Sequence, residues 1–346
     1  MFSINFLDRI RTFILKKVLK YNLVKSIFIN RSIRLQFGFV FSASTSLYFA
    51  LFHPYNLLII GPLIFGIPHL LSSIRYLPKY LNKNDFSKNF SLIVAVLLFS
   101  FVIIKLFIEP IILNKKGVIL NFTEIIFYVL FAASIFIFLK HKINFIFFII
   151  VSFFLILFSF LAPLKMIGSL ALAHNFIAFY FWHAFSVNQN ERNSSIVSFC
   201  IFLLVHGLIF MGFFDHQIMY SQEFGYQNSL TQMTFGFENL FQQNSIYLSR
   251  TIAAFAFGQS VHYFVWLKAI PEQNSSFQFN LSFKLIFKKM INEVSKPVLI
   301  LIALSIVFVI SISFFQSLYQ ARFAYLLLAA THGYFEIATF LIGKKT

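Results

Sequence analysis

The sequence predicts an all-α protein, a polytopic bundle of transmembrane helices. Of its 346 residues, 59% are hydrophobic, 53 are Phe and only 11% are charged, whereas a soluble domain carries about 25% charged residues. Several uncharged runs approach the roughly 20 residues that a helix needs to cross a bilayer. The single cysteine, Cys200, lies in an apolar run, so neither a disulfide framework nor a thiolate metal site is expected.

About ten membrane spans follow from these runs, because Pro and clusters of Asn, Lys and Ser mark most of the joints between them. We place the spans at residues 36–52, 56–77, 90–108, 118–139, 143–162, 164–187, 195–214, 250–270, 297–315 and 322–342. Two pairs of spans, within 36–77 and within 143–187, are joined by only a few residues. If either pair bends differently, the number of spans falls to nine or eight.

Positive charges predict the orientation, since Lys and Arg accumulate on the cytoplasmic side of a membrane. With the N-terminus inside, all but six of the 28 Lys and Arg residues are cytoplasmic; the six are Lys105, Lys115, Lys116, Lys165, Arg250 and Arg322. Both termini are therefore predicted to be cytoplasmic. No cleavable signal or targeting segment is recognised, so we expect a multi-pass protein of a bacterial inner membrane.

Two further regions flank or interrupt the transmembrane domain, which is predicted over 36–342. Residues 1–35 have apolar positions every three or four residues with basic residues between them, which is typical of an amphipathic arm on a membrane surface. An ordinary cytosolic helix packed on the bundle is the alternative. The net charge of +17 is assigned to contact with membrane lipids and not to nucleic acid. The external segment 215–249 is either an interfacial lid or a solvated loop.

Histidines at a common depth are the most informative pattern in the spans. Counted from the outer ends of their spans, four of them lie about 10 to 13 residues deep, and these depths differ by only about 5 Å at a rise of 1.5 Å per residue. The four are His69, His174, His262 and His332. All four are on even-numbered spans, which run in the same direction, so their side chains can meet near one plane.

A shared metal ion is the predicted reason for this alignment, because ionisable side chains at membrane depth are expensive and usually functional. An imidazole set without thiolate fits non-haem Fe(II) or haem better than a structural zinc site. The alternative is that each histidine is only an interhelical hydrogen-bond partner, a contact that contributes roughly 0.6 kcal/mol on average.

Three neighbouring side chains are predicted to contact the histidine ligands and to orient their rings. Glu336 lies one turn after His332 and can accept from a histidine ring, bind the metal directly, or reach cytoplasmic water. Gln259 lies one turn before His262. His206, at mid-depth on a span of opposite direction, is a further ligand, a supporting group or a structural residue.

Four short islands in the same order carry a family resemblance: "GIPH" (66–69), "ALAHNF" (171–176), "SVHYF" (260–264) and "ATHGYF" (330–335). They resemble the Brp/Blh-type β-carotene cleaving dioxygenases, polytopic membrane proteins with a histidine-bound Fe(II). The resemblance implies that the four aligned histidines are the iron ligands. This chain departs from the family pattern at "HLLSS" after the first histidine, at Asn175, Gly258 and Thr331.

The expected function is therefore a membrane-embedded, Fe(II)-dependent oxygenase that uses O₂ on a lipid-soluble polyene. The resemblance implies oxidative cleavage of β-carotene to retinal. Two alternatives remain open at this point. One is a haem-binding membrane oxidoreductase, and the other is a transporter or scaffold whose histidines are structural. No individual catalytic side chain is predicted.

Overall fold

The computed structural model describes residues 29–81, 163–223 and 246–274 continuously, with further stretches and single positions in 8–27, 96–100 and 288–340. Every regular element in this part of the chain is helical, as the sequence predicts. The predicted spans 118–139 and 143–162 lie outside the described residues, as do most of 90–108, 297–315 and 322–342.

The continuous stretches form a series of α-helices interrupted by two π-helical turns. In chain order these are α1 (Arg31–Phe52), α2 (Pro54–Gly61), π1 (Pro62–Gly66), α3 (Ile67–Leu81), α4 (Pro163–Phe185), α5 (Gln189–Phe210), α6 (Asp215–Glu223), α7 (Ile246–Phe264), π2 (Val265–Ala269) and α8 (Ile270–Asn274). Residues 332, 333, 335–337, 339 and 340 are also helical.

The first helix begins and ends at residues with clear local reasons. The side chain of Asn30 accepts hydrogen bonds from the backbone N–H groups of Ser32 and Ile33, which is an N-cap. α1 therefore starts at Arg31, inside the segment predicted as the surface arm. Pro54 cannot continue a helix but suits the first turn of the next one, so the tight pair is two helices joined at His53.

The end of α5 shows why one predicted span boundary moves. Asn188 caps its start by accepting from the backbone N–H of Glu191. Gly212 then adopts φ 86°, a left-handed conformation that suits glycine at the end of a helix. As a result α5 ends at Phe210, before the predicted limit of 214, and α6 begins at Asp215.

The core lies around α7, which is buried on nearly all sides and packs on α1, α2, α4 and α5. Aromatic rings fill the space between these helices; the ring of Phe39, for example, lies 6.0 Å from Phe179 and 6.1 Å from Phe264. A helix with apolar residues all round belongs in the interior of a bundle. α7 therefore carries its side chains into contact with several neighbours at once.

The outside of the bundle is apolar as well. Phe37 and Phe41 of α1 and Leu204 of α5 expose more than half of their surface. Three helices are long and apolar enough to cross a membrane: Arg31–Phe52, Pro54–Leu77 and Gln189–Phe210. Large exposed apolar surfaces mark contact with a partner or a membrane, and together with the helix lengths they indicate membrane association.

Several charged pairs of the described helices lie near helix ends. Arg34 binds the carboxylate of Glu272 in the buried interior, and Lys268 lies 2.9 Å from the same carboxylate. At the other end of α7, Arg250 donates to both carboxylate oxygens of Asp215, at 2.8 and 2.5 Å. These pairs tie the ends of α1, α7 and α8 and the start of α6.

Candidate metal centre

Four imidazoles from four helical segments converge in the interior of the bundle. His69 comes from α3, His174 from α4, His262 from α7 and His332 from the helical residues near the C-terminus. Ring centroids are 4.4 Å apart for His69 and His332, and 4.2 Å apart for His174 and His262. These are the histidines that share a predicted depth. Their role as metal ligands stays a prediction, but the structure brings them together.

Burial excludes bulk water from most of this cluster. His69 and His262 are 1% exposed and His332 is 2% exposed, whereas His174 keeps 17% of its side-chain surface. The Nε2 atoms of His69 and His262 are 2.7 Å apart, close enough for one ring to donate a proton to the other when no ion lies between them. The partly exposed face of His174 is therefore the more open side of the cluster.

The carboxylate of Glu336 lies among the four rings and is fully buried. Its oxygens are 3.4 to 4.0 Å from the Nε2 atom of each histidine. Among the described residues, neither oxygen has a hydrogen-bond partner. Glu336 thus lies away from water, and its carboxyl oxygens face the imidazole nitrogens.

The five side chains are close enough together to hold a single metal ion. One ligand atom from each lies within 4.8 Å of all the others. With metal–ligand bonds of about 2.0–2.2 Å, adjacent ligand atoms are about 3.0–3.5 Å apart and opposite ones about 4.2 Å. Four imidazoles and one carboxylate are a donor set that suits iron and other transition metals. The cluster could therefore hold a metal ion, and this geometry does not distinguish iron from other transition metals.

A haem group does not fit the same donors well. Haem iron takes one or two protein ligands, because the porphyrin occupies its other positions. Five protein donors that converge on one point leave no plane for a porphyrin between them. The arrangement favours a bare ion over the haem that the sequence leaves open.

Two π-helical turns lie next to the histidines of α3 and α7. π1 ends at Gly66, three residues before His69, and π2 begins at Val265, three residues after His262. A π turn inserts one extra residue and so rotates the side chains beyond it; such turns occur frequently at functional sites. The two irregular turns therefore flank the pair of imidazoles that approach each other most closely.

Two tyrosines pack beside this part of the cluster. A Cβ atom at Gly66 would lie 2.2 Å from the ring of Tyr325, so only glycine lets that phenol press against the backbone before His69. The hydroxyl groups of Tyr325 and Tyr263 are 3.5 Å apart, and the ring of Tyr263 lies 5.4 Å from that of His69. Gly66 thus allows the close packing that holds the start of α3 in place.

The serines after His69 bind backbone carbonyls and not the imidazole. Ser72 donates to the carbonyl of Trp266 at 2.5 Å, and Ser73 donates to that of Leu70 at 2.9 Å. The first of these bonds joins α3 to π2. It fixes the two helices that supply His69 and His262 relative to each other.

Two of the predicted supporting residues lie elsewhere. His206 has its Nδ1 atom 2.9 Å from the carbonyl of Phe202, and it lies outside the group of five metal-binding candidates. Gln259 is half-buried on α7, and no hydrogen bond in the described part of the chain joins it to the four histidines. Only Glu336 of the three predicted neighbours contacts the cluster.

The sequence-based reasoning also missed residues near the cluster. Asn175 follows His174, is 1% exposed, and has no hydrogen bond to either amide atom among the described residues. A polar side chain in an apolar span indicates a functional site, so Asn175 could have been predicted as a site residue from its place beside His174. Tyr325 has no comparable signal, because only the fold places it against Gly66.

Comparison of the chain with family models, with curated proteins and with solved structures gave no match. The resemblance to the carotene-cleaving dioxygenases stays a prediction from four short islands. What the structure adds is independent of any relative, namely a buried cluster of four histidines and one glutamate.

Proposed function

We propose that this protein is a membrane-embedded oxygenase that holds Fe(II) with His69, His174, His262 and His332, joined by Glu336. The observation that carries the proposal is that five buried donor atoms lie within 4.8 Å of one another. Histidine and carboxylate ligands with a remaining open position are the arrangement that suits non-haem iron. When bound, the iron would supply the activation of O₂.

The proposed reaction is the oxidative cleavage of a carbon–carbon double bond in a lipid-soluble polyene. One O₂ molecule is consumed, the double bond breaks, and each carbon receives one oxygen atom as an aldehyde. This balance needs no external reductant. β-Carotene is the proposed substrate, because of the resemblance to the Brp/Blh-type family.

The chain's own residues would hold the ion, exclude water and orient the polyene. Burial of His69, His262 and Glu336 keeps water from the site, which strengthens the electrostatic interactions within it. Aromatic rings on the surrounding helices, such as Phe181 and Trp266 with centroids 5.7 Å apart, are fully buried and add to the exclusion of water. The more exposed edge of His174 is the proposed side of approach.

The finer membrane arrangement belongs to the same proposal. Ten spans with both termini in the cytoplasm would place the cluster near mid-depth of a bacterial inner membrane. A substrate dissolved in the acyl region could then reach the site without crossing water. Membrane association is supported by the three long apolar helices, and the remaining spans rest on the sequence.

The test is to purify the protein in detergent, measure bound iron per chain, and assay aldehyde products from β-carotene under air. His262→Ala should lose both iron and product formation. His183→Ala is the matched control, since His183 lies on α4 outside the cluster and pairs with Ser195 at 3.0 Å. Full activity of metal-free protein, or unchanged iron in His262→Ala, would overturn the proposal in favour of a transporter or scaffold.

A further inference from the structure

The glycines beside the metal centre differ in how closely their neighbours approach. A Cβ atom at Gly66 would lie 2.2 Å from the ring of Tyr325, and one at Gly258 would lie 3.2 Å from an amide nitrogen. Both positions are therefore tightly packed. Beyond its own helix, a Cβ atom at Gly333 would have one neighbour within 4 Å, the Cδ2 atom of His174 at 3.8 Å, which is an ordinary van der Waals contact.

Neither the backbone nor close packing requires a glycine at position 333. The residue is helical, and it is not among the glycines of the described chain with a positive φ. Glycine is less stable than alanine in the interior of a helix, because it loses more backbone entropy on folding. The effect of this glycine is therefore to leave the space next to His174 without a side chain.

That space lies at the exposed edge of the cluster. His174 keeps 17% of its side-chain surface, whereas the other three imidazoles keep 3% or less. Gly333 is itself half-buried, and Ala173, which precedes the histidine, is exposed. The carboxyl oxygens of Glu336 lie behind this edge, 3.9 Å from Nε2 of His174, fully buried and without a hydrogen-bond partner among the described residues. The edge is thus where the five donors come nearest to the outer surface of the bundle.

We propose that Gly333 and the exposed edge of His174 form the entrance through which a lipid-soluble substrate reaches the metal centre. The size of the side chain at position 333 then limits the width of the molecule that is admitted. This inference rests on the proposed function, since the molecule admitted is the one on which the bound ion acts. Gly333 touches no reacting atom; it determines specificity by the space that it leaves open.

The test compares two polyenes of different width. All-trans-retinol carries a six-membered ring with methyl groups, and methyl trans-parinarate is an unbranched conjugated chain. Binding to the metal-free, full-length protein in detergent is followed by quenching of its two tryptophans, Trp182 and Trp266, which are fully buried. The measurement needs neither iron nor turnover, and iron binding is measured separately for each variant.

Gly333→Leu should discriminate between these two probes. Its Cβ atom fits beside His174, and its further atoms occupy the space of the entrance. Retinol should bind at least about tenfold more weakly than to the unmodified protein, and methyl parinarate less than about threefold more weakly, because a few carbon atoms in a confined apolar space discriminate by such factors. Product formation from β-carotene, which carries rings of the same kind, should fall together with retinol binding.

Two further variants serve as a second test and a matched control. Gly333→Ala adds only a methyl group, for which there is room; it should retain iron and weaken retinol binding by at least about twofold. Gly207→Leu is the control on α5, where a Cβ atom would meet nothing within 4 Å. It should bind both probes as the unmodified protein does.

Unchanged retinol affinity in both Gly333 variants would overturn the inference. Equal weakening of the two probes, or loss of iron in Gly333→Ala, would overturn it as well, because the glycine would then support the packing of the cluster. An effect of the same size in Gly207→Leu has the same consequence. None of these results touches the proposed oxygenase. Conversely, absence of iron from the unmodified protein, with the discrimination at position 333 intact, would overturn the proposed function and retain the entrance.

Discussion

Glu272 and Glu336 are both buried carboxylates, but the surrounding groups that could balance their charge differ. Glu272, in α8, is paired with Arg34 and lies 2.9 Å from the ammonium of Lys268. Glu336 has four imidazole nitrogens at 3.4 to 4.0 Å and no Lys or Arg ion pair among the described residues. A buried charge is paired, bound to a metal, or neutralised by a proton.

The comparison shows that the two carboxylates meet different groups, cations in one case and imidazoles in the other. Around Glu272 the cations are supplied by the protein, so this carboxylate contributes to structure. Around Glu336 the described residues supply four imidazoles, and no Lys or Arg among them pairs with this carboxylate. A metal ion would provide the missing positive charge and would satisfy all five donors at once.

Breaking the ion pair between Glu272 and Arg34 should have the largest effect on stability. Glu272→Gln leaves the guanidinium of Arg34 buried without its carboxylate, and it should lower the free energy of unfolding by about 3–5 kcal/mol. Denaturation of the detergent-solubilised protein measures this loss. Lys268→Gln is the control; Lys268 is 47% exposed, so its loss should cost no more than about 1 kcal/mol. Equal effects of the two variants would contradict this account.

Removing metal should have the next largest effect, and it should act on the cluster alone. At a free metal concentration 100 times the Kd, binding should stabilise the folded protein by about 2.7 kcal/mol. Thermal unfolding before and after treatment with a chelator measures the difference. The same increment is expected in Lys268→Gln, because that side chain lies at the other carboxylate. A chelator without effect on the unmodified protein would show that Glu336 does not contact an ion.

Glu336→Gln should separate metal affinity from intrinsic stability. Loss of the carboxylate should weaken metal binding by at least about 10–100-fold, which is about 1.4–2.7 kcal/mol. The metal-free variant should be as stable as the unmodified protein or more stable, since it buries no carboxylate. Metal titration and denaturation of the same samples provide both values. Glu191→Gln, at the start of α5, should leave the metal affinity unchanged.

The smallest expected effect is a pH dependence of the free energy of unfolding that comes from the partly exposed carboxylate of Asp215. Hydrogen bonds from Arg250 lower the pKa of Asp215 below its ordinary value of 3.8. The stabilisation is present above pH 3.8 and is lost as the pH falls through the lowered pKa of the folded state, because the unfolded chain binds the proton first. The contribution should not exceed about 1 kcal/mol. Unfolding at pH 6 and pH 3 should show it, and Asp215→Asn should lack it.

Much of the candidate site could be predicted from the sequence, because its signals are local. His69, His174, His262 and His332 were selected by their depth along helices, and depth depends only on the rise per residue and the direction of each span. Glu336 was selected because it lies one turn from His332. Both arguments require a helix and nothing about its neighbours.

Other features of the site could not be predicted in this way. His206 has a similar depth but lies beside Asn175 and Gly258, since the rotation of α5 about its axis decides which side it faces. In the same way, π1 and π2 change the rotation of α3 and α8, the helices that follow them. No periodicity in the sequence marks either turn.

By itself, the sequence determined that the chain is helical and apolar on nearly every face, and which histidines share a depth. Those properties come from composition and from the geometry of one helix. Only the tertiary structure decided that Glu336 lies inside the cluster, away from water, and that Glu272 meets Arg34 from a distant part of the chain. Such contacts depend on how helices pack and rotate against one another, and that is a property of several segments together.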